Sequence, residues 1–319
     1  MPVHAFIFPG QGSQAPGMGR DLAAAFAAAR EVFEEVDETL GQKLSRLMFE
    51  GPADELTLTE NAQPALMAHS LAVLRVLERE GGFKLADRAV LVAGHSLGEY
   101  SALAAAGAFT PAQAARLLRL RGQAMQKAVP AGTGAMAALL GAEMPLAEEI
   151  CAAAVLAPDG ARQVIQCAND NGGGQVVISG HKEAVERAIE ISKEKGVRRA
   201  MLLPVSAPFH CALMAPAAEA MAEALAASPP LAPLVPVIAN VSAAKATDPA
   251  EIIDLLVRQV TATVRWRECI HAMGAIGVTN FVELGAGKVL TGLMKRIAPE
   301  ATAAAAGTPA EIEALLKSL

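Results

Sequence analysis

The chain has 319 residues, 53% of them hydrophobic, and a formal net charge of -6. That length supports one large core with room for a smaller inserted domain, and charges scattered along helices without a basic block set nucleic acid aside as a partner. Cys151, Cys167, Cys211 and Cys269 form no CxxC pair, so neither a metal knuckle nor a disulfide scaffold is expected. The first ten residues lack a basic n-region and their apolar stretch stops at Pro9, while the Ala-rich runs are broken by charges. Neither a secretory leader nor a bilayer span is expected, which points to a cytoplasmic protein with reduced thiols.

In chain order, short apolar runs alternate with longer amphipathic ones, the pattern of a mainly parallel sheet between helices. Strands are expected at 5–8, 89–93, 235–239 and 280–284, and helices at 20–40, 64–79, 97–106, 111–127, 215–227, 249–260, 266–276 and 288–297. Residues 134–203 break the rhythm: strand 135–140, helix 145–155, strands 163–168 and 175–179, helix 182–195 and strand 199–203. That βαββαβ order is the ferredoxin-like unit. Turn residues at Pro130, Gly132 and Pro204 bound it. The expected organisation is a large α/β domain in two parts, 1–130 and 205–319, with a small domain inserted at 131–204 and a cleft between them.

Gly94, His95, Ser96, Leu97 and Gly98 spell G-x-S-x-G between an expected strand and an expected helix. A serine at such a bend is lifted out of the sheet, and the flanking glycines remove Cβ clashes. The Leu97 amide at the helix N-terminus then faces any developing oxyanion. The plain alternative is a helix N-cap serine. Gly10 to Gln14 form a glycine-rich loop after the first strand, with no following lysine to make it a phosphate cradle. The Gln11 amide is therefore assigned as the second oxyanion donor, against the alternative of an ordinary glycine turn.

A serine nucleophile needs a base, and the choice lies among His4, His69, His95, His181, His210 and His271. His210 follows a Pro-bearing loop at the exit of the small domain, where catalytic groups gather, whereas His181 and His271 fall at or inside expected helices. His4 and His69 read as structural, and His95, in the variable slot of the motif, as a pocket residue. No acid lies near His210 in sequence, which leaves its orienting group open. In helix 111–127 the positions Ala114, Leu117, Leu118, Arg121 and Met125 share one stripe, so Arg121 faces inward while Arg116 and Arg119 are expected in solvent. An inward arginine must either snorkel or pair, with a protein acid or with a ligand carboxylate gripped by its fork.

Seven stretches in order carry a resemblance: FPGQGSQ at 8–14, ENAQPAL at 60–66, GHSLGEYSAL at 94–103, RGQAMQ at 121–126, NDNGGGQVVISG at 169–180, PVSAPFHCALM at 204–214 and the 259–266 stretch ending VRW. Along almost its whole length the chain resembles malonyl-CoA:acyl carrier protein transacylases. The resemblance implies a hydrolase-like α/β domain with a ferredoxin-like insertion. It implies Ser96 as the acylated nucleophile, His210 as the base, and Arg121 as the clamp on the malonyl carboxylate. Gln11 and Leu97 would supply oxyanion amides, and the Gln259 backbone carbonyl would orient His210 in place of an acid. Phe209, just before the histidine, goes with malonyl over branched acyl groups, and Asn169 and Asn171 match positions facing the cleft. Malonyl-CoA and acyl carrier protein would be the partners of a monomer that needs no metal and no cofactor, because the coenzyme A thioester is a substrate. Rival expectations are a serine thioesterase or lipase-like hydrolase, a non-catalytic carrier-binding subunit, and the malonyltransferase subunit of a malonate decarboxylase or polyketide system.

Overall fold

The computed structural model describes residues 3–318. The chain opens on β1 (His4–Phe8) and passes through a glycine-rich loop into α1 (Arg20–Ala25), α2 (Ala27–Leu40), α3 (Leu44–Glu50), α4 (Ala53–Thr57) and α5 (Thr59–Gly81). Then come α6 (Leu85–Arg88), β2 (Ala89–Gly94), α7 (Gly98–Ala105) and α8 (Pro111–Lys127). The start of α8 is fixed by a capping box between Thr110 and Gln113, with proline in the first turn.

Two helices depart from the expected bounds. The 20–40 stretch is broken at Phe26, whose backbone is extended at φ -130° and ψ 123°. Nothing in the alanine-rich sequence breaks a helix there; Phe26 packs against the core, and tertiary packing overrides local propensity. Helix α5 begins at Thr59 rather than at Pro64, so that Pro64 lies inside it. Its first turn rests directly on α8, because a Cβ at Gly122 would lie 2.5 Å from the Glu60 Cα. That close approach brings Thr59 and Gln63 beside Arg121.

The middle of the chain folds as β3 (Gly134–Leu140), α9 (Met144–Ala154), β4 (Ile165–Asp170), β5 (Gln175–His181), α10 (Lys182–Glu194) and β6 (Arg199–Leu202). These strands make a separate antiparallel sheet in the order β4-β5-β3-β6, the arrangement of the ferredoxin-like unit. Its own core includes Leu139, Ile150, Ile178 and Val185. Strand β4 runs two residues later than expected, with a register irregularity between Cys167 and Asn169. Its end pairs with the large domain: the Asp170 N–H donates to the Val264 carbonyl at 2.9 Å, and the Val264 N–H to Ala168 at 2.9 Å. The Arg267 guanidinium, 2.8 Å from the buried Asp170 carboxylate, closes the same joint.

The last third runs through α11 (Ala215–Ala227), β7 (Val237–Ile238), β8 (Lys245–Ala246), α12 (Pro249–Gln259), α13 (Trp266–Ala275), β9 (Asn280–Leu284), α14 (Val289–Ile297), β10 (Thr302–Ala306) and α15 (Pro309–Ser318). The large sheet has the order β10-β9-β1-β2-β7-β8, parallel throughout except for β8. Alternation along β1 divides the core. Phe6 and Phe8 face the helices α2, α5 and α8, whereas Ala5 and Ile7 face Trp266 and Ile270 of α13 and Leu290 of α14. Strands β8 and β10 and helix α15 were not expected. Strand β10 reads Thr-Ala-Ala-Ala-Ala, which lacks the β-branched and aromatic side chains that mark a strand, and only its place beside β9 makes it one. The result is a hydrolase-like α/β domain carrying a ferredoxin-like insertion, the expected fold class.

Candidate active site

Strands β1 and β2 end side by side, with Phe8 opposite Gly94. The chain leaves β2 through a bend so tight that a Cβ on Gly94 would lie 1.8 Å from the Gly98 carbonyl oxygen, and one on Gly98 would lie 2.3 Å from that of Phe8. Only glycine fits at either position. Between them Ser96 is held at φ 54°, a left-handed conformation that is strained for a side-chain-bearing residue. The Asn240 side chain braces this bend: its Oδ1 accepts the Ser96 N–H at 2.8 Å, and its Nδ2–H donates to the Gly94 carbonyl at 2.8 Å.

Ser96 points into a cavity of about 460 Å³ between the two domains. Nine of the residues singled out in the sequence line it: Gln11, His95, Ser96, Leu97, Arg121, Asn169, Asn171, Phe209 and His210. Gln259 lies behind them. The Gln11 and Leu97 amides donate to no protein acceptor among the described residues, and Leu97 sits at the N-terminus of α7. Both residues line the same cavity as Ser96, and an N–H group with no protein acceptor is one that a developing anion can use.

The Ser96 hydroxyl donates to His210 Nε2 at 2.8 Å. The other nitrogen, Nδ1–H, donates to the backbone carbonyl of Gln259 at 2.9 Å. Gln259 is the last residue of α12, so this carbonyl lies at the helix C-terminus, where carbonyls have no partner within the helix and the dipole is negative. A helix end thus takes the place of an acid behind the histidine. Burial pushes the His210 pKa down to about 3; the Arg121 guanidinium pushes the same way, and the Gln259 carbonyl pulls against both. The imidazole is therefore neutral at ordinary pH and free to accept a proton.

Arg121 is 1% exposed, and among the described residues it makes no ion pair. Its Nη1–H donates to Gln63 Oε1 at 2.8 Å, and its Nη2 donates to Gln259 Oε1 at 2.8 Å and to Ser96 Oγ at 3.2 Å. The guanidinium lies 5.7 Å from the centroid of the Tyr100 ring. Its Nε–H is buried with no hydrogen-bond partner among the described residues. Burial lowers its pKa, yet an arginine remains charged. The Gln63 amide is itself held through Thr59, whose hydroxyl accepts from Gln63 Nε2 and donates to Gln11 Oε1, both at 2.9 Å.

His95 Nε2 lies 2.9 Å from Asn171 Oδ1, joining the serine bend to the small domain, and its ring rests 5.6 Å from that of Trp266. Arg119 departs from the expectation of a solvated side chain. It is half-buried and donates to Asn61 Oδ1 at 2.8 Å and to Gln42 Oε1, because the first turn of α5 and the turn between α2 and α3 cover its side of α8. Of the site residues that sequence reasoning missed, Gln63 and Glu99 lie within quoted motifs, while Asn240 lies in none. Among the described residues no cluster of His, Cys, Asp and Glu is suited to a metal ion, and no helix is long and apolar enough to cross a membrane.

Comparison with known proteins agrees with this geometry. A model of the acyl transferase domain matches residues 5–312. The malonyl CoA-acyl carrier protein transacylase of Escherichia coli (strain K12) is 47% identical over 317 residues, covering 99% of this chain and 100% of that protein. The crystal structure of an acyl-carrier-protein-S-malonyltransferase from Bartonella henselae is 57% identical with a TM-score of 0.95, covering 99% of each chain. A malonyl-transacylase solved in complex with its type II PKS acyl-carrier protein is 43% identical with a TM-score of 0.94, covering 99% of this chain and 100% of the other. The chain belongs to the acyl transferase domain family, among the malonyl CoA-acyl carrier protein transacylases.

Proposed function

We propose that this protein moves a malonyl group from coenzyme A to the phosphopantetheine thiol of acyl carrier protein through a seryl ester, supplying fatty acid synthesis. Ser96 gives its proton to His210 Nε2 as Oγ bonds to the thioester carbonyl carbon. The oxyanion is held by the Gln11 and Leu97 amides. The carbon–sulfur bond then breaks, and the departing thiolate takes the proton from His210. In the second half the carrier thiol gives its proton to His210 and its sulfur attacks the ester. Ser96 Oγ leaves and recovers that proton, so each half begins and ends with neutral imidazole.

The observation that carries this reading is Arg121: a buried cation 3.2 Å from the nucleophile that, among the described residues, has no carboxylate in an ion pair with it and no hydrogen-bond partner for its Nε–H. A malonyl ester on Ser96 brings a carboxylate to that cation. The same carboxylate also helps the base. Arg121 and His210 both bond Ser96 Oγ, so protonating the imidazole sets two cations around one oxygen. A bound carboxylate neutralises one of them and makes His210 easier to protonate. Malonyl is then favoured in the chemical step as well as in binding. Phe209, Met125 and Val177 are among the apolar side chains that line the cavity, which suits an unbranched acyl chain.

Arg121→Ala is expected to lower kcat/KM for malonyl-CoA by about 100-fold or more, the ~3 kcal/mol of a buried charge-assisted bond, with a much smaller effect on acetyl-CoA. Equal losses for both donors would remove the clamp. On this reading the enzyme needs no metal and no cofactor, acts as a cytoplasmic monomer and binds no nucleic acid. The similarity to the transacylase solved with a type II PKS carrier supports a second reading in which the acceptor serves polyketide synthesis. Transfer rates to carriers of the two kinds decide between them.

A further inference from the structure

Gln259 has its ends committed to two functional groups: its backbone carbonyl to His210 and its side-chain Oε1 to Arg121. The second bond requires the amide to lie one way round, with oxygen toward the guanidinium. An amide is nearly symmetric in shape, so its partners fix that choice: Arg121 can only donate, and on the other side Nε2 donates to Glu99 Oε2 at 2.8 Å, to the Ser96 carbonyl at 3.1 Å and to Asn240 Oδ1 at 3.3 Å. The shortest of these three contacts, and the one made to a carboxyl group, is with Glu99, in the first turn of α7 and 2% exposed. Glu99 Oε2 accepts from Gln259 Nε2 at 2.8 Å and from the Asn240 backbone N–H at 2.9 Å. Asn240 is also the residue that braces the Ser96 bend. A buried carboxylate is costly, and this one does not pair with a cation directly; it acts on Arg121 across the Gln259 amide.

We propose that Glu99 is a positioning residue for malonyl specificity: its acceptor oxygen locks the Gln259 amide so that Oε1, not NH2, faces Arg121. This rests on the clamp assigned above. Reversing the amide would set two donors against each other, and the guanidinium would swing away from the place where it meets the acyl carboxylate.

The test is Glu99→Gln, a side chain of the same shape that can present either oxygen or NH2 to Gln259. Malonyl-over-acetyl selectivity is expected to fall about tenfold, the ~1.4 kcal/mol of one buried hydrogen bond, with the loss concentrated in the KM for malonyl-CoA. Neutron diffraction from the wild-type protein is expected to place both hydrogens of Gln259 on the Glu99 side, a readout that does not depend on the variant folding. Parallel losses with both acyl donors, or unchanged selectivity, overturn the proposal, as does a wild-type amide found the other way round. A wild-type enzyme with no preference for malonyl would instead overturn the clamp itself, so the two failures are distinguishable.

Discussion

Asn240 shows how much of the site depends on side chains that never meet a substrate. It offers one acceptor to the Ser96 amide and one donor to Gly94, and thereby holds a serine backbone at φ 54°. Asn240→Ala would leave a buried N–H without a partner. The expected cost is about 1 to 3 kcal/mol of stability, with acylation slowed because the bend relaxes. Thermal unfolding and kcat/KM check this together; wild-type values of both would contradict it. Ser96 and Arg121 are legible in the sequence for local reasons: a strand-to-helix bend for one, and the stripe through Ala114, Leu118 and Met125 for the other. His210 is legible by elimination among six histidines. Asn240, Glu99 and Gln63 are not legible. Asn240 Oδ1 meets a residue 144 positions away, and Glu99 Oε2 meets Gln259 160 positions away. No periodicity encodes such contacts.

At the scale of elements, long helices and the βαββαβ order are readable because their apolar spacing repeats several times. Short or weakly marked elements are not. Strand β10 is four alanines after a threonine, and β7 and β8 have two residues each. The misplaced start of α5 had the largest consequence. Treating Pro64 as a first-turn residue leaves Gln63 outside the helix, yet Gln63 is one of the two glutamines that hold Arg121. Proline inside a helix is costly, and here it lies near the N-terminus of α5, where Gly122 of α8 lets the first turn pack closely. The late end of β4 has a similar origin. Asn169 and Asp170 are poor strand formers, and pairing with Val264 draws them into extended backbone.

For the whole molecule, two domains close over one cavity, and burial of ionisable groups ties stability to pH. Burial pushes His69, whose Nε2 lies 2.9 Å from the Gly307 carbonyl, down to about 4. Between its ordinary 6.5 and that value the unfolded chain binds a proton that the folded chain refuses, so its contribution is full above 6.5 and is lost as pH falls through 4. His210, held near 3, acts in the same direction. Glu99, pushed up to about 7 by burial, acts oppositely: its contribution is full below 4.5 and is lost as pH rises through 7. Urea unfolding from about pH 7 down to about pH 4.5 is expected to show the acid loss, with His69 responsible for roughly 2 to 3 kcal/mol. His69→Gln is expected to flatten that limb; an unchanged slope would show that His69 is not its source.

The proposed transfer turns on a single oxygen, Ser96 Oγ, shared by an imidazole and a guanidinium. Intact-protein mass spectrometry after mixing with malonyl-CoA tests it most directly. One malonyl adduct is expected on the wild-type chain and none on Ser96→Ala; an adduct that survives in the variant would place the chemistry on another residue.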